Sequence, residues 1–234
     1  MAASAISPVP FGDEWRRSGS AMRLYGYFRS SAAYRVRIAL NLKGMAADHV
    51  PVHLVKPGPL PAYRAAVNPQ GLVPALESNG DGLIVQSLAI IDYLEERQPD
   101  PPLLPQGLAE RAYVRAAALL IACDIHPLAN LRVLRYLKQE LGQEQDAIDT
   151  WYRHWVEDGL ARLEAFVRDS GRSGAFLHGD RPTMADCCLV PQLFNARRLA
   201  CDLSGFPTLV AIDARCADIE AFSLAHPSVQ PDAE

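Results

Sequence analysis

The sequence predicts two units: an α/β domain over residues 22–99 and an all-helical domain over 107–234, joined by a linker at 100–106. Three observations carry that expectation. Short apolar strand patterns alternate with helical patterns in the first part. Pro99, Pro101, Pro102 and Pro105 then crowd one short stretch, and prolines at that density stop both kinds of element. Beyond it only helical periodicity appears. Hydrophobic residues make up 49% of the 234-residue chain and charged residues 21%, enough apolar surface for a packed core.

The elements follow in order. Residues 1–21 hold Pro8, Pro10, Gly12, Gly19 and several Ser and Ala, without the cationic start and apolar run of a secretory signal; they read as a disordered extension. Leu24 to Phe28 is the first strand. Tyr34 to Leu42 is a helix ended by Gly44. Val50 to Leu54 alternates as a second strand. Pro57, Pro59 and Pro61 mark an irregular loop. Leu72 to Leu76 and Leu83 to Val85 are short strands around Asn79-Gly80-Asp81-Gly82, a strong hairpin turn signal. Gln86 to Glu96 closes the domain as a helix with Leu88, Ile91 and Leu94 on one face. The order is βαβ, loop, ββα, which implies a mixed sheet with helices. Helical patterns then cover roughly 107–140, 143–170, 183–199 and 207–221. Thr183-Met184-Ala185-Asp186 has the form of a capping box at the start of the third.

Bulk properties exclude several classes. A net charge of -4 argues against nucleic acid or an anionic membrane as the main partner. No window approaches about 18 uninterrupted apolar residues, so no membrane span is expected. Cys123, Cys187, Cys188, Cys201 and Cys216 form neither a CxxC pair nor a disulfide framework, which fits a reducing, cytoplasmic location. The six histidines lack metal-ligand spacing, and no metal site is expected.

The chemistry concentrates at three places. Ser30 and Ser31 stand where the first strand runs into the first helix. Their hydroxyls and the free N–H groups of a helix N-terminus suit an anion or a thiolate. Val73-Pro74 stands at a strand start, where proline lacks an N–H and tolerates a cis bond; the Val73 backbone would then be open to an extended peptide. Gln86-Ser87 opens the next helix, where a hydroxyl and N–H groups can hold a carboxylate.

Together these features resemble the glutathione transferase superfamily, and within it the zeta class of maleylacetoacetate and maleylpyruvate isomerases. The resemblance rests on Phe28-Arg29-Ser30-Ser31 with Arg35-Val36-Arg37-Ile38-Ala39-Leu40, on Asn68-Pro69-Gln70 with Val73-Pro74, and on Gln86-Ser87-Leu88-Ala89-Ile90-Ile91. In the second half it rests on Asp124-Ile125-His126-Pro127-Leu128 with Asn130, on Gly179-Asp180 with Thr183-Met184-Ala185-Asp186, on Leu189-Val190-Pro191-Gln192, and on His226-Pro227 with Gln230-Pro231-Asp232. It covers about 22–234.

The resemblance implies a thioredoxin-like N-terminal domain, a helical substrate domain and glutathione as cofactor. It implies that Ser30 and Ser31 lie at the thiol and that Val73 pairs with the cysteinyl backbone beside a cis Pro74. Gln86 and Ser87 would hold the γ-glutamyl end, with His126 and Asn130 contacting the ligand. Arg29, beside the thiol, would join Ser30 and Ser31 in catalysis. Arg29, Arg132 and Arg198 would bind the carboxylates of a small diacid substrate, since the guanidinium fork suits carboxylates. Many zeta members carry Cys where this chain has Ala32. None of the five cysteines lies in the first domain, so the reacting sulfur is expected to be that of glutathione. The implied activity is cis–trans isomerisation of maleylacetoacetate or maleylpyruvate by a homodimer. A general glutathione transferase or dehalogenase and a non-catalytic glutathione-binding protein are the alternatives.

Overall fold

Strands β1 (Met22–Gly26), β2 (Asp48–Pro51), β3 (Ala75–Ser78) and β4 (Gly82–Val85) form one mixed sheet in the order β2–β1–β3–β4, in a computed structural model that describes residues 21–56 and 58–234. β1 runs parallel to β2 and antiparallel to β3, and β3 to β4 is the expected hairpin. At its turn Gly80 takes φ +99°, a backbone that disfavours any side chain. The expected extension falls, except for Ala21, outside the described residues.

Strand bounds shift from the sequence reading for identifiable reasons. β1 ends at Gly26, so Tyr27 and Phe28 already belong to the turn into α1 (Ser31–Leu42). β2 is Asp48–Pro51 and stops short of Leu54. β3 starts at Ala75, because Pro74 has no N–H to give the ladder. One helix lies outside the sequence expectation: α2 (Leu60–Ala66) starts among the prolines. Pro59 is its N-cap and Pro61 lies in its first turn, where a missing N–H costs nothing. Proline density there marks a helix start, not only a loop.

α3 (Ser87–Arg97) completes the first domain, and the linker is pinned to it. Glu95 accepts the N–H groups of Leu103 at 2.9 Å and Leu104 at 3.1 Å. Lys43 pairs with Glu95 at 2.6 Å and also donates to the carbonyls of Gln98 and Pro101. A buried cation and carboxylate thus satisfy the linker's backbone.

The second part is helical, apart from one bridge between Ser173 and Gly179. The expected single run over 107–140 is broken. α4 (Leu108–Leu119) passes into a π turn (Leu120–Ile125), then a 3-10 turn (His126–Ala129), then α5 (Leu131–Gln139). Pro127 cannot donate inside an α-helix, and the chain turns where it stands. Leu108–Gln139 contains a stretch long and apolar enough by composition to cross a membrane, which qualifies the sequence expectation. It is irregular at its middle, and α4 packs on α7 (Met184–Arg198). α6 (Gln145–Ser170), α8 (Pro207–Ala217) and α9 (Glu220–Ser223) complete the bundle; the last two split the 207–221 pattern.

The capping box forms as read. Asp186 accepts the Thr183 N–H at 2.7 Å and the Leu177 N–H at 2.9 Å. Burial pushes its carboxyl up to about 6, against the pull of those donors.

α1 and α7 are the seam between the domains. Val36, Ile38 and Leu40 share one buried cluster with Val114, Leu160, Cys188 and Leu189. The opposite face of the sheet buries Tyr25, Phe28, Val52, Tyr63 and Ala75. The chain end returns to the head of α1. Asp232 accepts the Phe28 N–H at 2.9 Å, and buried Arg37 bridges the carbonyls of Phe28 and Ala225, each at 3.0 Å. The turn that carries Arg29 and Ser30 is held from both sides.

Candidate active site

Ser30 is the N-cap of α1. Its backbone is extended (φ −68°, ψ 114°), and its Oγ accepts the Ala33 N–H at 3.2 Å. With that lone pair used by the helix, the Ser30 O–H is free to donate. Ser31 is buried, and its Oγ lies 3.0 Å from Nδ1 of His126, across the domain seam.

The proton on that imidazole follows from the next residue. Asn130 caps α5, and its Oδ1 accepts the Arg132 N–H at 3.2 Å. Its Nδ2 therefore faces Nε2 of His126, at 3.4 Å, and donates. Nε2 is the acceptor, so the neutral ring carries its hydrogen on Nδ1 and gives it to Ser31 Oγ. The Ser31 proton, like that of Ser30, is left for something else.

Burial, with the charges of Arg35 and Arg132, pushes His126 down to about 3. Between that value and the ordinary ~6.5 the unfolded chain takes up a proton that the folded chain refuses. The stability this residue contributes above pH ~6.5 is therefore lost as pH falls toward 3. In thermal melts from pH 7 to 4.5, His126→Gln should lose less stability than the parent. Asp186, raised and so acting in the opposite sense, is common to both proteins and cancels. Parallel curves would refute the assignment.

Two adjoining cavities meet at these groups. The first, of about 200 Å³, is lined by Tyr27, Arg29, Ser30, Ser31, Tyr152 and Arg198 among others. The second, of about 400 Å³, is lined by Arg35, Pro74, Gln86, Ser87, Cys123 and Arg132 among others. Ala32, Leu72, Val73, His126 and Asn130 line both, so the two make one cleft along the seam.

The Val73-Pro74 bond is cis, and among the described residues the Val73 N–H and carbonyl make no hydrogen bond. Gln86 caps α3 with φ +72°, and Ser87 Oγ accepts from Arg35 Nη1 at 3.2 Å. Ser30, Ser31, Val73, Pro74, Gln86, Ser87, His126, Asn130 and the three candidate arginines thus all border this cleft. The cations divide: Arg29 and Arg198 stand in the first cavity, Arg132 only in the second. Arg29 is exposed and lies 4.9 Å from the centre of the Phe28 ring.

Some neighbours escaped the sequence reading. Asn195 has a buried Oδ1 that is unpartnered among the described residues, and it lines the first cavity with buried Gln192. Gln192, Asn195 and Arg198 recur every three residues, which puts them on one face of α7; that spacing was the available signal. Cys123 is exposed and lines the second cavity. This thiol comes from the helical domain and does not line the first cavity with Ser30 and Ser31.

A family model for the glutathione S-transferase N-terminal domain matches residues 24–102, and one for the glutathione S-transferase C-terminal domain matches 145–221. Maleylacetoacetate isomerase of Rhizobium meliloti (strain 1021) is 50% identical over 204 residues, 87% of this chain and 95% of that one. Among solved structures, holo maleyl pyruvate isomerase, a bacterial glutathione S-transferase in the zeta class, superposes with TM-score 0.84 at 43% identity, over 91% of this chain and all of that one. Maleylacetoacetate isomerase of Anaeromyxobacter dehalogenans 2CP-1, with dicarboxyethyl glutathione and citrate bound in its active site, superposes with TM-score 0.82 at 45% identity, over 92% and 98%.

Proposed function

Because the chain belongs to the zeta class of the glutathione S-transferase family, we propose that it is a glutathione-dependent cis–trans isomerase. Its substrate would be a maleyl diacid such as maleylacetoacetate or maleylpyruvate, formed when aromatic rings such as that of tyrosine are degraded. One observation carries this reading. A single cleft sets two hydroxyl donors at a helix N-terminus beside two guanidinium groups, Arg29 and Arg198, that form no ion pair among the described residues.

The residues suit glutathione. Val73 offers an unused backbone N–H and carbonyl beside the Pro74 turn. Gln86 and Ser87 present the N-terminus of α3 to the second cavity. His126 and Asn130 stand where the two cavities join. When bound, glutathione supplies a thiolate that can make the maleyl double bond transiently single and leave again.

Ser30 and Ser31 donate their free O–H groups toward the sulfur position and, with the N-terminus of α1, favour the ionised form of a thiol whose free pKa is ~8.5. His126, kept neutral, holds Ser31 as a donor. Arg29 and Arg198 take the two carboxylate ends and leave the carbon between them free to turn. Arg132, in the second cavity beside Asn130, would serve an end of the diacid. Leu83 on β4 and Leu108 and Leu119 on α4 are exposed large apolar side chains, surface that a homodimer would cover. Free cysteines, most of them buried, support a cytoplasmic setting.

The test is an absorbance assay of maleylpyruvate and maleylacetoacetate isomerisation, with and without glutathione. Conversion of at least one, dependent on glutathione, is expected; conversion of neither would sink the proposal.

A further inference from the structure

Arg35 is the cation that the reaction does not use. It is fully buried in α1, and among the described residues its Nε and Nη2 have no hydrogen-bond partner. Nη1 donates to Ser87 Oγ at 3.2 Å. Among the described residues no carboxylate pairs with it. A guanidinium taken out of water without a counter-charge is costly, and folded proteins rarely carry one. Yet it borders the second cavity together with Gln86 and Ser87, at the N-terminus of α3. The missing charge is therefore one that enters that cavity.

We infer that Arg35 is a positioning residue for an anion: it is the buried counter-charge for the α-carboxylate at the γ-glutamyl end of glutathione. The inference rests on the function proposed above. Two effects follow from the geometry. The guanidinium occupies a lone pair of Ser87 Oγ, so the Ser87 proton points away from Arg35 and can go to the carboxylate. Its charge adds to the positive end of α3, and because the guanidinium itself is buried the attraction is screened less than at an open surface. Arg35 would thus act through Ser87 and through the field, without touching the reacting sulfur.

The test compares two peptides by calorimetry on the full chain. One is glutathione; the other is 4-aminobutyryl-cysteinylglycine, which lacks only the α-carboxylate. Arg35→Met should weaken glutathione by about 10- to 100-fold, the range for a hydrogen bond or pair involving a charge, and change the second peptide by less than about 3-fold. At saturating glutathione the turnover number should stay near that of the parent. Arg35→Lys keeps the charge and shortens the fork; its smaller loss should again be confined to the peptide with the carboxylate, and it serves if the Met variant does not fold. Equal losses for both peptides, or none for either, would overturn the role of Arg35 alone. A parent chain that binds neither peptide would overturn the proposed function, and this inference with it.

Discussion

Ser30→Ala is expected to lower glutathione-dependent isomerisation by about 10²–10³-fold, the range for removing one preorganised donor from a developing or stabilised anion. Two functions are lost with this one oxygen. Its lone pair caps α1 through the Ala33 N–H, and its proton is left free for the thiolate. Loss of the cap alone costs about 1 kcal/mol of stability, too little to unfold a domain whose α1 is buried over most of its length. The two effects separate by measurement. The ultraviolet absorbance of bound thiolate, titrated against pH, should show the glutathione thiol returning toward ~8.5 in the variant, while the melting temperature falls by only a few degrees. Ser31→Ala should act more weakly. Ser31 is the more buried hydroxyl and its oxygen is held by His126, so it supports the donor array from behind. A Ser30 variant with an unshifted thiol titration would move the principal role to Ser31.

The parts of this site that could be read from the sequence are those encoded locally. A hydroxyl at a helix start, a proline at a strand start and a capping box each depend on residues within four positions, and each formed where read. What could not be read depends on packing across the seam. The pairing of Ser31 with His126 joins residues 95 apart in sequence, and no local pattern encodes it. The orphaned Arg35 is invisible for the same reason: in the sequence it is one of two arginines in an apolar helix, and only the fold shows that Arg37 is satisfied by two carbonyls and Arg35 is not. α2 is hidden because proline density signals a loop, whereas a helix tolerates proline in its first turn. The break at 120–129 matters more, because it puts His126 and Asn130 off the α4 axis and into the cleft. A continuous helix would have carried both past it.

Arg198→Gln is expected to cut kcat/KM for the diacid by about 10²-fold, roughly 3 kcal/mol of binding to a carboxylate, mostly through KM. Its neighbour supplies the control. Arg197 and Arg198 are adjacent in the last turn of α7, so their side chains leave the helix about 100° apart. Arg197 is tied to Asp213 at 2.6 Å and borders a different cavity, whereas Arg198 has no ion pair among the described residues and opens into the cleft. Both sit at the helix end where a cation is favoured by up to about 1 kcal/mol, so both substitutions remove that small stabilisation alike. Only the Arg198 change should touch catalysis. The substrate can be varied as well as the enzyme. Transfer of glutathione to an uncharged electrophile such as 1-chloro-2,4-dinitrobenzene requires the thiolate and not the carboxylate clamp. It should persist within about 3-fold in Arg198→Gln and fall in Ser30→Ala, a difference far outside the roughly 1 kcal/mol that background stability effects introduce. If Arg198→Gln lost both activities equally, the residue would be shaping the cleft, and the carboxylate reading of this arginine would be wrong. If Arg197→Gln lost diacid activity while Arg198→Gln kept it, the clamp would have been assigned to the wrong face of α7.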